Sequence, residues 1–521
     1  MSAVLALLLG GVLLGLWAWL VVASGRWPAG DGPHVLGTGQ RLAQFLRDGE
    51  PLLFVRCLGM LIGPHPPGAY LPATLAAVVL GPGRWVHLAA GALVVGLCLD
   101  GIRRLGGGLS GWIWLGASPL IWLQAEGYGV DLVAAACVVQ ALSHLHVSEG
   151  LSRRRHVVLW GLWMGACFIS KYTAPMFLWA PCLAAGLAVL RSGRWKALGT
   201  GVLAFGLVAL PVWGLNGAEI LGYLTASQSS SDALMTNDTL LGGPWATPER
   251  LSWYPRALVD HWGWPGALLA GVALVLPFRE KGLRRSAWLL PTLGVLGGVL
   301  ILATQSQRQD RYLVPAVVLL CALLGSLRWS LVLAPIGAVG LYGVAMSFLR
   351  WTDVPATRSY THSAQLSELG QTWPWVQDAY APTSQDPGVW ELDARIAQLA
   401  LVHGSPEGSV GFLLDETGGA PGFGLVLSRV VAADLRWHVA TVMVLPNGEA
   451  AVFVGPFTRN DWPSRDFGSL LVILRTGDGA REAWLRRSGL ELRDSWPLPE
   501  GREGRIYQSP DGEPMRFLEG R

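Results

Sequence analysis

Three cations in this chain stand in unusual places. Only three lysines occur at all. Lys196 and Lys281 lie in short loops shared with arginines, whereas Lys171 lies in Phe168-Ile-Ser-Lys-Tyr-Thr-Ala-Pro175, between two apolar runs. Arg308 and Arg311 fall in Thr304-Gln-Ser-Gln-Arg-Gln-Asp-Arg-Tyr-Leu-Val-Pro315, where another apolar run begins. Cations converging from separate helix ends bind phosphate, arginine bidentately and lysine as a point charge. The plainer alternatives are a lysine that snorkels to the headgroups and an Asp310 that pairs with one of the arginines. Acids are equally sparse here. Asp31 precedes Gly32-Pro33, and Glu126 and Asp131 bracket Gly127-Tyr-Gly-Val130. Each aspartate is either a catalytic carboxylate or the N-cap of the helix it opens. Asp100 has Arg103 and Arg104 three and four residues on, an ion-pair spacing. His144 and His146 lie inside an apolar run and read as structural. The six cysteines form no CxxC and no metal-ligand spacing.

The elements that carry these residues are membrane helices. Charged residues make up 14% of the 521, against about 25% in an ordinary globular protein. Apolar residues reach 51% and glycines number 67. Such a chain is neither disordered nor a soluble globule. A net charge of +3 is too small to argue for nucleic acid. Eleven runs read as spans: 2–25, 85–102, 109–125, 130–147, 157–170, 172–190, 197–216, 260–278, 287–303, 312–327 and 329–349. The first lacks a basic n-region and reads as an uncleaved anchor. With the N-terminus cytoplasmic, thirteen Lys and Arg fall in inner loops and only Lys171, Arg308 and Arg311 in short outer ones. A span over 69–81 would reverse that bias, so this run reads as an interfacial helix. Residues 26–84 and 217–259 are then long outer loops, and long loops are usually functional.

Residues 351–521 change character. Helix-like stretches at 388–403, 422–436 and 479–488 alternate with β-type runs at 409–414, 439–445 and 469–474, the pattern of a small α/β domain. It contains no GxGxxG and no P-loop. The expected architecture is therefore an α-helical polytopic membrane domain over 1–350, followed by an extracytoplasmic α/β domain over 351–521.

The motifs within the first 350 residues resemble those of the GT-C superfamily of polytopic glycosyltransferases. They are similar to family 39, the protein O-mannosyltransferases and the lipid A aminoarabinose transferase. An acid follows the first span in Gly30-Asp-Gly-Pro-His34; His65-Pro-Pro-Gly-Ala-Tyr70 opens the interfacial helix; Glu126-Gly-Tyr-Gly-Val-Asp131 forms a second outer turn. A glycine-rich helix ends in Ser170-Lys171-Tyr172, and Arg311-Tyr312-Leu-Val-Pro315 starts a late helix. The chain departs from the family at Gly32, where a second acid is common, which weakens the case for a divalent metal. It departs again at His65, which replaces Lys or Tyr and makes that charge depend on pH.

The resemblance implies transfer of a sugar from a polyprenyl-phosphate donor to an acceptor hydroxyl on a glycan, lipid or protein, at the outer face of a bacterial inner membrane. No cofactor is expected. Asp31 is the expected general base, and direct displacement gives inversion. His34, His65, Tyr70, Glu126, Asp131, Lys171, Tyr172, Arg308, Arg311 and Tyr312 are the expected substrate-binding residues. A transporter or flippase would show paired repeats and midplane charges, and the spans here are nearly free of charge. A non-catalytic assembly factor that displays the C-terminal domain is the other alternative. The topology is testable. Cysteines placed at Arg103 and Arg358 should respond oppositely to an impermeant thiol reagent, and equal labelling would break the assignment of sides.

Overall fold

The computed structural model describes residues 32–59, 61, 66–126, 128–234, 248–275, 283–304 and 310–327, with Gly11 and Gly15. In the C-terminal part it describes 407–414, 436–444, 450–454, 466–467, 469–475, 479–487, 489–498, 502–508 and 515–516. The expected spans 2–25 (Gly11 and Gly15 apart) and 329–349, and the helices expected at 388–403 and 422–436 (Arg436 apart, which opens a strand), lie outside the described residues. In order come α1 (Gly32–Arg47), α2 (Pro51–Gly59), α3 (Leu71–Leu80), α4 (Arg84–Arg104), α5 (Gly108–Gly116), α6 (Pro119–Glu126) and α7 (Val130–Val147). Then follow α8 (Arg154–Ser170), α9 (Trp179–Ser192), α10 (Trp195–Leu234), α11 (Pro248–Val275), α12 (Leu283–Thr304) and α13 (Val314–Ser326). Short 3-10 turns occupy Pro67–Ala69, Ala174–Phe177 and Asp310–Leu313.

Contacts divide the chain into two units. One comprises Met1–Gly25, Ile62–Pro72 and Ala90–Pro382; the other comprises Arg26–Leu61, Ala73–Ala89 and Thr383–Arg521. Four helical stretches are long and apolar enough to cross a bilayer: Trp85–Arg104, Val130–Val147, Trp195–Gly222 and Ser286–Ala303. They coincide with four of the expected spans. With the shorter apolar helices around them they make the chain an α-helical integral membrane protein. The ten-residue α3 rises only about 15 Å, half of a bilayer core, so it cannot cross.

Two expectations need correction. The run 109–125 is not one helix. It breaks at Ala117-Ser118 into α5 and α6, because Pro119 has no N–H and disfavours helical geometry at the residue before it. The Trp122 indole donates to the Gly116 carbonyl at 2.5 Å and satisfies one acceptor that the break exposes. The second correction concerns the expected loops 26–84, which holds α1, α2 and α3, and 217–259; both are largely helical rather than loop. Helix α10 runs on to Leu234 and α11 starts at Pro248, leaving only 235–247 outside the described residues. At 40 residues α10 is about 60 Å long, twice a bilayer core.

Glycine sets how closely the first unit packs. On α8, a Cβ at Gly165 would lie 2.6 Å from Val208 Cβ and 3.0 Å from the Phe205 carbonyl of α10. Gly201 of α10 admits the Trp160 ring in return. This small-xxx-small seam, with Gly161 one turn earlier, lets two backbones approach where no hydrophobic effect separates helix from lipid. Helices α5 and α13 meet the same way through Gly107, Gly111 and Gly325. At the C-terminal end of α4, Asp100 accepts from Arg103 at 2.8 Å and from Arg104 at 2.7 Å, as its spacing indicates. Gln140 of α7 donates to the Leu97 carbonyl at 2.8 Å and ties α7 to α4.

In the second unit, α1 begins at Gly32, directly after Asp31, and ends at Gly49 (φ 77°), with Pro51 opening α2. Arg41 is buried and donates to Gln44 Oε1 at 2.6 Å; Gln40 Oε1 accepts from the Gly83 N–H at 2.9 Å. The C-terminal strands are β1 (Glu407–Leu414), β2 (Arg436–Val444), β3 (Ala450–Val454), β4 (Asp466–Phe467), β5 (Ser469–Arg475), β6 (Glu491–Leu498), β7 (Arg502–Gln508) and β8 (Met515–Arg516), with α14 (Gly479–Arg487) after β5. Six strands form one sheet in the order β3-β2-β1-β5-β7-β6, while β4 pairs with β8. Strand β1 is parallel to both β2 and β5, and the flanking pairs are antiparallel. Arg505 lies on β7 between Glu503 and Glu482; its hydrogen bond to Glu503 at 2.7 Å raises its pKa above the ordinary value.

The glycine seam makes a paired prediction. Gly165→Ala should lower the midpoint of thermal unfolding in detergent by the equivalent of about 1–3 kcal/mol. Gly186→Ala, where an added Cβ meets nothing within 4 Å, should leave it unchanged or raise it by up to about 1 kcal/mol. Equal behaviour of the two would remove the seam from the account.

Candidate functional site

Lys171 terminates α8. Its backbone is extended (φ −161°, ψ 138°), and the Ala174–Phe177 turn follows, begun by Ala174 N–H donating to the Lys171 carbonyl at 3.0 Å. Pro175 cannot continue the helix. The ammonium therefore sits at the negative end of the α8 dipole, which favours a cation. Asp131 is the second residue of α7, whose N-cap is Gly129, so Asp131 is not the cap. Its carboxylate sits at the positive end of the α7 dipole. The two groups meet: Lys171 Nζ lies 2.7 Å from Asp131 Oδ2, with side chains 9% and 2% exposed. Lys171 thus does not snorkel; an acid holds it inside the protein.

Two further residues complete the group. The Asp310–Leu313 turn, stopped by Pro315 in the first turn of α13, carries Arg311 and Tyr312. Arg311 Nε lies 3.8 Å from the same Asp131 oxygen and remains a third exposed. The Tyr312 ring underlies both cations, its centroid 5.3 Å from Lys171 Nζ and 5.8 Å from Arg311 Cζ, within cation–π range. Both cations lie against the Asp131 carboxylate, with Arg311 as the more exposed of the two. Among the described residues no three His, Cys, Asp or Glu side chains gather as a metal site.

The other expected residues are placed as follows. Tyr70 is buried at the end of the Pro67–Ala69 turn. That turn packs on α8, and a Cβ at Gly68 would lie 2.7 Å from the Ile169 carbonyl, so the Pro-Pro-Gly motif leans on the chain two residues before Lys171. Tyr172 does not join the cluster. It packs edge-on against Trp213 of α10, centroids 6.2 Å apart. Glu126 ends α6 and His34 lies in the first turn of α1, both placed by backbone only. Asp31, His65 and Arg308 lie outside the described residues.

Sequence reasoning placed a turn before Asp131 but did not single out Gln124 or the conformation of Tyr128. Tyr128 is buried with φ 48°, a left-handed conformation that a bulky residue adopts only under constraint from its surroundings. Gly129 N–H donates to the Gln124 carbonyl at 2.7 Å, and a side chain at Gly129 would collide with the Gln124 amide. Gln124 Oε1 is buried without a partner among the described residues. A glutamine within an apolar run was the available signal.

The buried pair makes a stability prediction. Asp131→Asn strips Lys171 of its counter-charge and should cost about 3 kcal/mol in thermal unfolding. Arg311→Gln, at the looser and more exposed contact, should cost under about 1 kcal/mol. An Asp131→Asn protein as stable as the parent would show that the pair does not hold the helix ends.

No protein-family model matches the chain, and no curated protein matches it significantly. Solved structures do. ArnT from Cupriavidus metallidurans bound to undecaprenyl phosphate superposes with a TM-score of 0.57 at 12% identity, over 97% of this chain and 98% of that one. ArnT from the same organism in the apo state gives 0.56 at 12% identity, over 96% and 97%. Over nearly its whole length, then, the chain has the fold of these ArnT structures, the GT-C fold.

Proposed function

We propose that the protein transfers a sugar from a polyprenyl-phosphate donor to an acceptor hydroxyl, at the outer face of a bacterial inner membrane. The observation that carries this reading is the cluster of Asp131, Lys171, Arg311 and Tyr312, in which one carboxylate meets two cations at helix ends. A polyprenyl-phosphate sugar presents an anion at such a level, and the fold is that of ArnT, one of whose structures holds undecaprenyl phosphate.

Breaking the bond between the anomeric carbon and the phosphate oxygen turns a phosphodiester into a monoester. The departing oxygen needs cations more than a proton. Arg311, the accessible member, meets the phosphate with its guanidinium, and Lys171 supports it from behind. Asp131 fixes both cations before the donor arrives, so little reorganisation remains for the reaction itself. The acceptor hydroxyl is a weak nucleophile and requires a base. Asp31, which precedes α1 in the sequence, is assigned that role. Displacement without a covalent intermediate inverts the anomeric centre. The acceptor is a hydroxyl on a glycan, lipid or protein.

Purified protein should transfer sugar from a polyprenyl-phosphate donor in detergent or vesicles. Arg311→Gln should lose about tenfold to a hundredfold in rate while unfolding close to normally, as expected when a charged hydrogen bond of about 1.5–3 kcal/mol is removed. Asp31→Asn still caps a helix but cannot accept a proton, so it should lose about a hundredfold or more. Normal transfer by Arg311→Gln would take the phosphate away from this cluster, and normal transfer by Asp31→Asn would move the base elsewhere.

A further inference from the structure

A second binding feature lies at the opposite end of α7 from Asp131. It is a cavity of about 370 Å³ bounded by the end of α7 with the chain that follows it, by α9, and by the start of α12. From Asp131 to His146 is fifteen helical residues, about 22 Å, so this cavity is separate from the cation cluster. Its walls are mainly apolar, and α9 presents Ala184, Ala185 and Ala188 where larger side chains would fill the space. Ala188 is exposed, beside the exposed Leu187 and Leu190, so the cavity is a groove open on the outer side of α9.

The polar side chains that line the groove are His146, Glu149 and Ser286. His146 Nδ1 and Ser286 Oγ are 3.0 Å apart and bridge α7 to α12. Arg194 Nη1 donates to the Gly150 carbonyl at 2.6 Å and to the Glu149 carbonyl at 3.2 Å, on the segment that lines the groove. Its Nε and Nη2 have no partner among the described residues. The Glu149 carboxylate is already paired with Arg153, so it does not cancel Arg194. The net charge at this rim is positive.

We propose that the groove holds one acyl chain of an anionic phospholipid, with the phosphate of its headgroup at Arg194. The occupant follows from the two halves of the site. A soluble ligand of this size needs several convergent polar groups, and the polar side chains lining the groove are a His–Ser pair bonded to each other and a Glu149 paired with Arg153. A wholly apolar ligand makes no use of the exposed Arg194 cation beside the groove. A lipid tail fills the alanine-lined wall, and an anionic headgroup meets a cation that lies beside arginine-rich loops, where a juxtamembrane cation favours anionic lipid.

The test uses the whole protein in vesicles containing a phosphatidylglycerol with a photoreactive acyl chain, or the phosphatidylcholine analogue. Peptides spanning Ala184–Val189 and Leu289–Leu290 should be labelled well above the lipid-facing α10 positions Leu203, Leu207 and Leu210. Phosphatidylglycerol should exceed phosphatidylcholine about fivefold, the worth of one juxtamembrane arginine. Arg194→Gln should erase that preference, and Ala188→Trp should block labelling of the groove. Because unaltered protein gives the labelling map, the outcome does not depend on how the variants fold. Equal labelling of groove and α10 face, or equal labelling by the two lipids, overturns the proposal.

Discussion

A carboxylate and an ammonium, 2.7 Å apart and almost wholly removed from solvent, govern the geometry of the candidate site. Each charge alone would be costly in this setting, because burial strips its hydration. Together they offset that cost, and the backbone contributes: α7 offers its positive end to Asp131 and α8 its negative end to Lys171. The pair requires both helix ends to lie at one level. That requirement reaches into the membrane part, because α8 can hold its position only if it packs tightly against its neighbours. The Gly161–Gly165 seam against Gly201 and Val208 of α10 provides that packing, and the Pro-Pro-Gly turn abuts the last residues of α8 from another side.

The site was partly legible in the sequence because membrane topology makes charge conspicuous. Lys171 and Arg311 break the inner-side bias of Lys and Arg, and that anomaly alone points to them. What the sequence did not reveal was that one acid holds both cations, since residues 131, 171 and 311 come from three separated elements. Tyr172 shows the converse. It adjoins Lys171 in the chain, yet the extended backbone at Lys171 and the turn after it send it towards Trp213. Local adjacency fails where a helix stops.

The fold class was legible, and the elements that were missed follow similar lines. The central strands β2, β1 and β5 were visible as continuous apolar runs because parallel strands are buried on both faces. Strands β6 and β7 are rich in charge and were missed; antiparallel strands at a flank keep one polar face. Gly504 opposite Trp496 on that hairpin lacks the side chain that would block the indole. The serine-rich stretch after residue 224 looked like loop because Ser and Thr are weak helix formers. Propensity is a weak prior, and extending an existing helix costs far less than nucleating a new one. Pro119 was a true helix breaker inside an apolar run, and hydropathy alone passed over it.

The charge count at the cluster bears on the proposed chemistry. The donor is a phosphodiester with one negative charge, and the departing polyprenyl phosphate approaches two. Interactions accelerate a reaction only when they strengthen from ground state to transition state. The attraction of Lys171 and Arg311 grows as charge builds on the leaving phosphate. Asp131 holds both cations in place before the donor binds, and its removal would leave two like charges to repel each other in a confined space. Tyr312 fits the same balance, because its ring face attracts both cations without adding a negative charge to offset them.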